Sequence, residues 1–203
     1  MVSRRKFILQ GGMAVSAASL LSVIPPGYAK AASSSFAAIS PLYKVVVDNS
    51  FAESAAFAAE TRRRGIPIEI IHGDLTRFWY ADLEPRWKTG PVAVGGLTSI
   101  ESVHCLELLA RRHGARIIYR AEHHCLKSGV VDHVLYGSST SYSNVSSLRT
   151  AGVAWAAEAA TLMTDCTHDF SPTVNHQASV ATAHAYADER LLVSWVIAPV
   201  RTT

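Results

Sequence analysis

Three cysteines in 203 residues are too few for a disulfide framework, so this chain must hold together through an apolar core. No run of about 18 uninterrupted apolar residues occurs, which excludes a conventional membrane-spanning helix. Charged residues are scarce at 17%, and the hydrophobic fraction of 49% is that of a globular chain; a disordered tail and a coiled coil are both excluded. Neither G-x-G-x-x-G nor the phosphate-cradling G-x-x-x-x-G-K-S/T is present, and H-E-x-x-H and C-x-x-C are absent too. No dinucleotide, nucleoside triphosphate or zinc signature is therefore on offer.

What the chain does have begins at its first residues. Ser3-Arg4-Arg5-Lys6-Phe7-Ile8-Leu9 is followed by the weakly apolar run from Gly11 to Leu21, a Pro25-Pro26-Gly27 break and the small-residue site Ala29-Lys30-Ala31. A basic start, a short apolar stretch and an A-x-A site make a secretory signal. The paired arginines followed by Phe7 resemble the twin-arginine export signal, S-R-R-x-F-L-K, with Leu9 in place of the usual lysine. That resemblance implies a signal peptide over residues 1–31; a leader over 32–41 and one α/β domain over 42–203 are read from the patterns of the remaining chain. The resemblance also implies passage through the twin-arginine translocation machinery, which carries folded proteins, to the periplasm or another exported location. Clients of that route are often cofactor-loaded enzymes or the partners that ride with them.

Removing the signal changes the charge. The whole chain carries 19 basic and 16 acidic residues; without Arg4, Arg5, Lys6 and Lys30 the balance becomes 15 against 16, or −1. Nucleic-acid binding then has no electrostatic support, and no stable membrane span is expected after cleavage.

The mature chain alternates strand-like and helix-like patterns. Tyr43-Lys44-Val45-Val46-Val47-Asp48 is a β-branched run suited to a buried strand. Ser50 and Glu53 have capping-box spacing, and Arg62-Arg63-Arg64-Gly65 supplies cations and a permissive residue for a helix end. Ile66 to Ile71 is a second strand, followed by a helix bearing Leu75, Phe78, Trp79 and Leu83 ahead of Pro85. Strand, capping box and R-R-x-G ending then recur: Pro91-Val92-Ala93-Val94, Thr98 to Glu101, and Arg111 to Gly114. Further strands are expected at Ala115 to Tyr119 and Val130 to Leu135, and a helix carries Leu148, Gly152, Trp155, Ala159 and Leu162. Residues 180–186 and 191–197 read as a C-terminal antiparallel hairpin on the sheet edge. The pattern predicts an α/β fold, a mainly parallel Rossmann-like or flavodoxin-like three-layer sandwich.

In such a sheet, ligands bind beyond the carboxyl ends of the strands. The predicted ends carry Asp48, Asn49 and Ser50; His72 and Asp74; Gly95-Gly96 with Thr98 and Ser99; Glu122, His123 and His124; and Gly137 to Ser141. Opposite ends carry only Gly65-Ile66-Pro67 and Gly114-Ala115. Asn49, Ser50, Asp74, Thr98 and Ser99 are also the residues that cap helices, so each has two available roles. Imidazoles do not cap in this way. His72, His123 and His124, with Asp74, His104 or Cys125, offer nitrogen, oxygen and sulfur ligands, although the adjacent pair would face opposite ways on a strand. No metal and no cofactor is assigned.

Asp165-Cys166-Thr167-His168 resembles, over three residues, the C-T-H stretch of aspartate and glutamate racemases. Those enzymes need another cysteine at an early strand end, and none precedes Cys105; the likeness stops there. Cys105 falls within a predicted helix, where a buried inert thiol is expected, and in an exported chain two of the three thiols are candidates for pairing. Two functions remain. One is an exported accessory or small-ligand-binding subunit associated with a larger redox enzyme. The alternative is a small exported enzyme, hydrolase-like and metal-assisted, with its site at the strand ends. A docking surface around Trp79, Tyr80 and Trp87 is a third reading, against which aromatic burial in the core must be weighed.

Overall fold

The computed structural model of the chain describes residues 41–137, 141–166, 175–182 and 185–199. The expected signal peptide and nearly all of the leader lie outside them, as do Ser138, Ser139, Thr140, Thr167 and His168.

Seven strands form one mixed sheet: β1 (Lys44–Asp48), β2 (Ile68–Ile71), β3 (Val94–Ser99), β4 (Ala115–Cys125), β5 (Val130–Tyr136), β6 (Asn175–Ala181) and β7 (Arg190–Pro199). Their order across the sheet is β2-β1-β3-β7-β4-β5-β6. β1 pairs in parallel with β2 and β3, while the β3–β7, β7–β4, β4–β5 and β5–β6 pairings are antiparallel. Five of the seven strands thus run one way, with β7 and β5 reversed between them.

The expected C-terminal hairpin is not formed. β6 pairs with β5 at the sheet edge, whereas β7 enters the middle, between β3 and β4. The reason lies in β7 itself: Leu192, Val193, Trp195, Val196 and Ile197 are all buried. An edge strand leaves such residues in water, and only a central strand covers both of its faces. β6 is the polar one, alternating between exposed and half-buried positions along most of its length.

Helices cover one face along most of the sheet. α1 (Ser54–Arg63), α5 (Ser141–Ala151) and α6 (Trp155–Thr164) pack Phe57, Leu148, Trp155 and Met163 against Val45, Val47, Leu97, Leu135 and Val196. On the other face, α2 (Thr76–Phe78), a π-helical stretch (Trp79–Leu83), α3 (Glu84–Thr89) and α4 (Ile100–Arg111) pack Phe78, Trp79, Trp87, Val103 and Leu106 against Val46, Val94, Trp195 and Ile197. Trp79 and Trp87 are therefore core residues, in edge-to-face contact at 5.9 Å. Tyr80 alone of that trio is exposed, at 66%. Helical structure continues through Pro85, the second residue of α3, directly after the π-helical stretch. Lys44 anchors this layer by bonding Asp82 of the π-helical stretch, and the Tyr43 hydroxyl donates to the same carboxylate at 2.7 Å.

Gly65 and Gly114 end α1 and α4 at φ +73° and +67°, the left-handed conformations expected of them. The first capping box is not formed: α1 begins at Ser54, three residues late, because Ser50 lies in a turn fastened to Asp48 and Glu53 turns to Arg190 instead. In the second, Ser99 rather than Thr98 is the cap, accepting from the Ser102 N–H. The long helix expected through Gly152 is broken there by a 3-10 turn with Gly152 at φ +56°.

Candidate functional site

Asp48 ends β1 and is buried at 1% exposure. Its Oδ1 accepts the backbone N–H groups of Ser50 at 3.0 Å and Gly73 at 3.1 Å, tying together the turns that follow β1 and β2. The Asn49 N–H donates to the Ile71 carbonyl at 2.9 Å. Asp74, exposed, accepts the Thr76 N–H at 2.8 Å, and His72 is exposed beside it. Thr98 is fully buried, and its hydroxyl accepts the Trp195 indole N–H at 3.0 Å. Of these residues, Asp74 and Ser99 share a pocket.

That pocket, about 340 Å³, lies between the segment after β2 and the start of α4. Leu75, Leu109, Trp79 and Tyr80 supply apolar wall, while Asp74, Thr76, Ser99, Glu101 and Ser102 supply polar groups. Cys105 also lines it and is exposed. The expected burial of this thiol fails because the apolar stripe of α4 runs through Val103, Leu106 and Ala110, and Cys105 falls off it. Both carboxyls are held below their ordinary range: Asp74 by the Thr76 hydroxyl and N–H, Glu101 by its own N–H and the Ser99 hydroxyl.

Glu122, His123 and His124 belong to the body of β4, which runs on to Cys125. With β7 standing between β3 and β4, they are two strands from Ser99, about 10 Å at ordinary strand spacing. The two histidines face opposite ways, as neighbours on a strand must. His123 is fully buried; its Nε2 lies 2.9 Å from the Ser194 hydroxyl and its Nδ1 2.8 Å from Nδ1 of His133 on β5. One Nδ1 carries the shared proton and the other accepts it. Trp155 of α6 closes over both rings at 4.7 and 5.2 Å. Burial pushes His123 well below its ordinary value and takes His133 down to about 4, with Asp132 opposing the latter shift. Among the described residues, His133 Nε2 is buried without a hydrogen-bond partner.

His124 lies on the other face of the sheet, with Nε2 3.4 Å from Glu122, whose carboxylate also takes a fork from Arg120 at 3.1 and 2.6 Å. His124, Asp132, Val134, Gln177 and Ser179 border a shallow depression there. His72, His123 and His124 therefore occupy three separate environments. Among the described residues, no group of three His, Cys, Asp or Glu side chains is arranged to hold a metal ion.

Two clusters were not singled out from sequence. The first is the Ser194–His123–His133 chain. Its signal was available, since Ser194 is the only hydroxyl in the otherwise apolar run from Leu191 to Ala198. The second gathers Glu53, Cys125, Tyr186 and Arg190. Arg190 bonds both oxygens of Glu53 at 2.9 and 3.0 Å and stacks on the Tyr186 ring at 4.9 Å. Burial, then the Glu53 charge, pushes the Cys125 thiol up to about 11. Cys166 rises to about 12 by burial, and all three thiols are free.

No helix among the described residues is long and apolar enough to cross a membrane. No protein-family model, no curated protein and no solved structure matches this chain.

Proposed function

We propose that this is an exported small-ligand-binding protein, an accessory subunit of a larger exported redox enzyme, whose ligand occupies the pocket at the carboxyl ends of β2 and β3. The observation that carries the reading is that pocket: Asp74 and Ser99, expected from sequence to reach a ligand, meet in a cavity of about 340 Å³, within the ordinary range for small-molecule sites. The parallel β2-β1-β3 group supports a Rossmann-like or flavodoxin-like reading of this part of the sheet, and the carboxyl edge is where such arrangements take ligands. The twin-arginine pattern at Arg4 and Arg5 supports export.

Native mass spectrometry of the mature protein, purified from the compartment it is exported to, tests the binding reading. A small molecule should co-purify with the wild type and be lost from Cys105→Trp, which fills the pocket from an exposed helix position. A molecule retained equally by that variant would place the ligand elsewhere. Replacing Arg4 and Arg5 by lysine should leave precursor in the cytoplasm; undiminished export by the same route would refute the signal assignment.

The hydrolase alternative is favoured by one observation, the Ser194–His123–His133 chain, which has the bonding order of a nucleophile, a base and its orienting group. All three side chains are fully buried, so this reading requires α6 to lift Trp155 away. A fluorophosphonate probe should then modify Ser194, and failure to label it removes the reading.

A further inference from the structure

Resting on the ligand-binding reading above, we propose that the pocket between the β2–α2 segment and α4 selects a small organic cation, an amine carrying an aromatic or aliphatic body. Among the described residues, the lining contains two carboxylates, Asp74 and Glu101, and no lysine, arginine or histidine. A helix start ordinarily attracts anions. At α4, however, Glu101 already occupies the first turn and Ser99 caps the Ser102 N–H, so an anionic ligand meets two like charges and little unsatisfied dipole. Both carboxyls are shifted to the acid side of their ordinary range because each is hydrogen-bonded in its charged form.

The remaining wall fits the other end of such a molecule. Leu75, Leu109 and Trp79 give an apolar floor, and the exposed Tyr80 ring offers a π face to an ammonium group. A cavity of about 340 Å³, at the small end of ordinary ligand sites, suits an amine with a single ring or a short chain. Ser99, Ser102 and Thr76 carry hydroxyls that accept as well as donate, so a primary ammonium can direct its remaining N–H groups to them. Recognition on this scheme is electrostatic at one end and dispersive at the other.

Three probes of similar shape separate the possibilities: 2-phenylethylamine, 2-phenylethanol and 3-phenylpropanoate, each titrated into the mature protein by calorimetry and by amide chemical shifts. The amine should bind about tenfold more tightly than either other probe, shifting Gly73, Ser99 and Cys105. In Asp74→Asn with Glu101→Gln, where Asn retains an oxygen for the Thr76 N–H, that preference should vanish. If the alcohol or the acid binds this pocket as tightly as the amine, or if the double variant keeps the preference, the cation inference is overturned and the ligand-binding reading survives. If no probe of any charge shifts the pocket residues, both fall together.

Discussion

His123 and His133 meet across β4 and β5 as neutral rings, and this makes the protein sensitive to acid. Their folded pKa values are depressed, His133 to about 4 from an ordinary 6.5, so below about pH 6.5 the unfolded chain binds protons that the folded one refuses. Stability therefore rises with pH through that window and falls as acid is added. For His133 alone the loss between about pH 7 and 4.5 is on the order of 2–3 kcal/mol. Urea denaturation across that range checks this, and His133→Leu should flatten the slope; a pH-independent wild-type midpoint would contradict it. His124 and Asp132, on the opposite side of the same strands, add charges of opposite effect. His123→Ala should cost more than about 2 kcal/mol, because it opens a void under Trp155 and strips the Ser194 hydroxyl of its partner. A histidine exposed at a rim loses far less on the same change. Thiol reactivity should follow burial: at neutral pH iodoacetamide should modify Cys105 first, with Cys125 and Cys166 reacting only after denaturation. Mass spectrometry of the folded protein showing equal labelling of all three would overturn that order.

Among the elements, the glycines divide into two kinds. Gly65 and Gly114 stand in open space, so their need is conformational; replacing either with alanine should cost on the order of 1 kcal/mol through its positive φ. Gly96 on β3 is confined instead: a Cβ there would lie 2.6 Å from the Val46 carbonyl and 2.7 Å from the Trp195 ring. Gly96→Ala should cost about 3 kcal/mol or more, whereas at Gly95 the nearest atom is the Met163 sulfur at 2.9 Å, part of a side chain that can yield. Thermal melts of the four variants should rank Gly96→Ala lowest. These contrasts also mark how far sequence reading reached. The helix ends at Gly65 and Gly114 were readable because their signal is local, a cation run followed by glycine. The start of α1 was misjudged because Glu53 is claimed by Arg190, 137 residues away, and no local pattern reports such a partner. Asp74 and Ser99, two of the residues expected at the strand ends, line one pocket, yet nothing local revealed that Tyr80, Glu101 and Cys105 would share it.

Over the whole molecule, strand positions were largely readable and strand neighbours were not. Residues 191–197 were placed in a strand by their apolar character, but proximity in sequence assigned them to residues 180–186. Burial on both faces, with Trp195 against Thr98 and Ser194 against His123, sets β7 centrally, where it also divides the expected rim into two sectors. That position has a consequence in time. β3 and β4 are joined in the sheet only through β7, so the sheet is not continuous until residues 190–199 pair with both of them. The pairing spans a large part of the chain and carries the loop-closure delay of non-local contacts. Until it forms, β3 and β4 present open edges to other strands. A chain of this design completes its sheet by a distant pairing, and whatever binds open strand edges competes with β7 until that pairing forms.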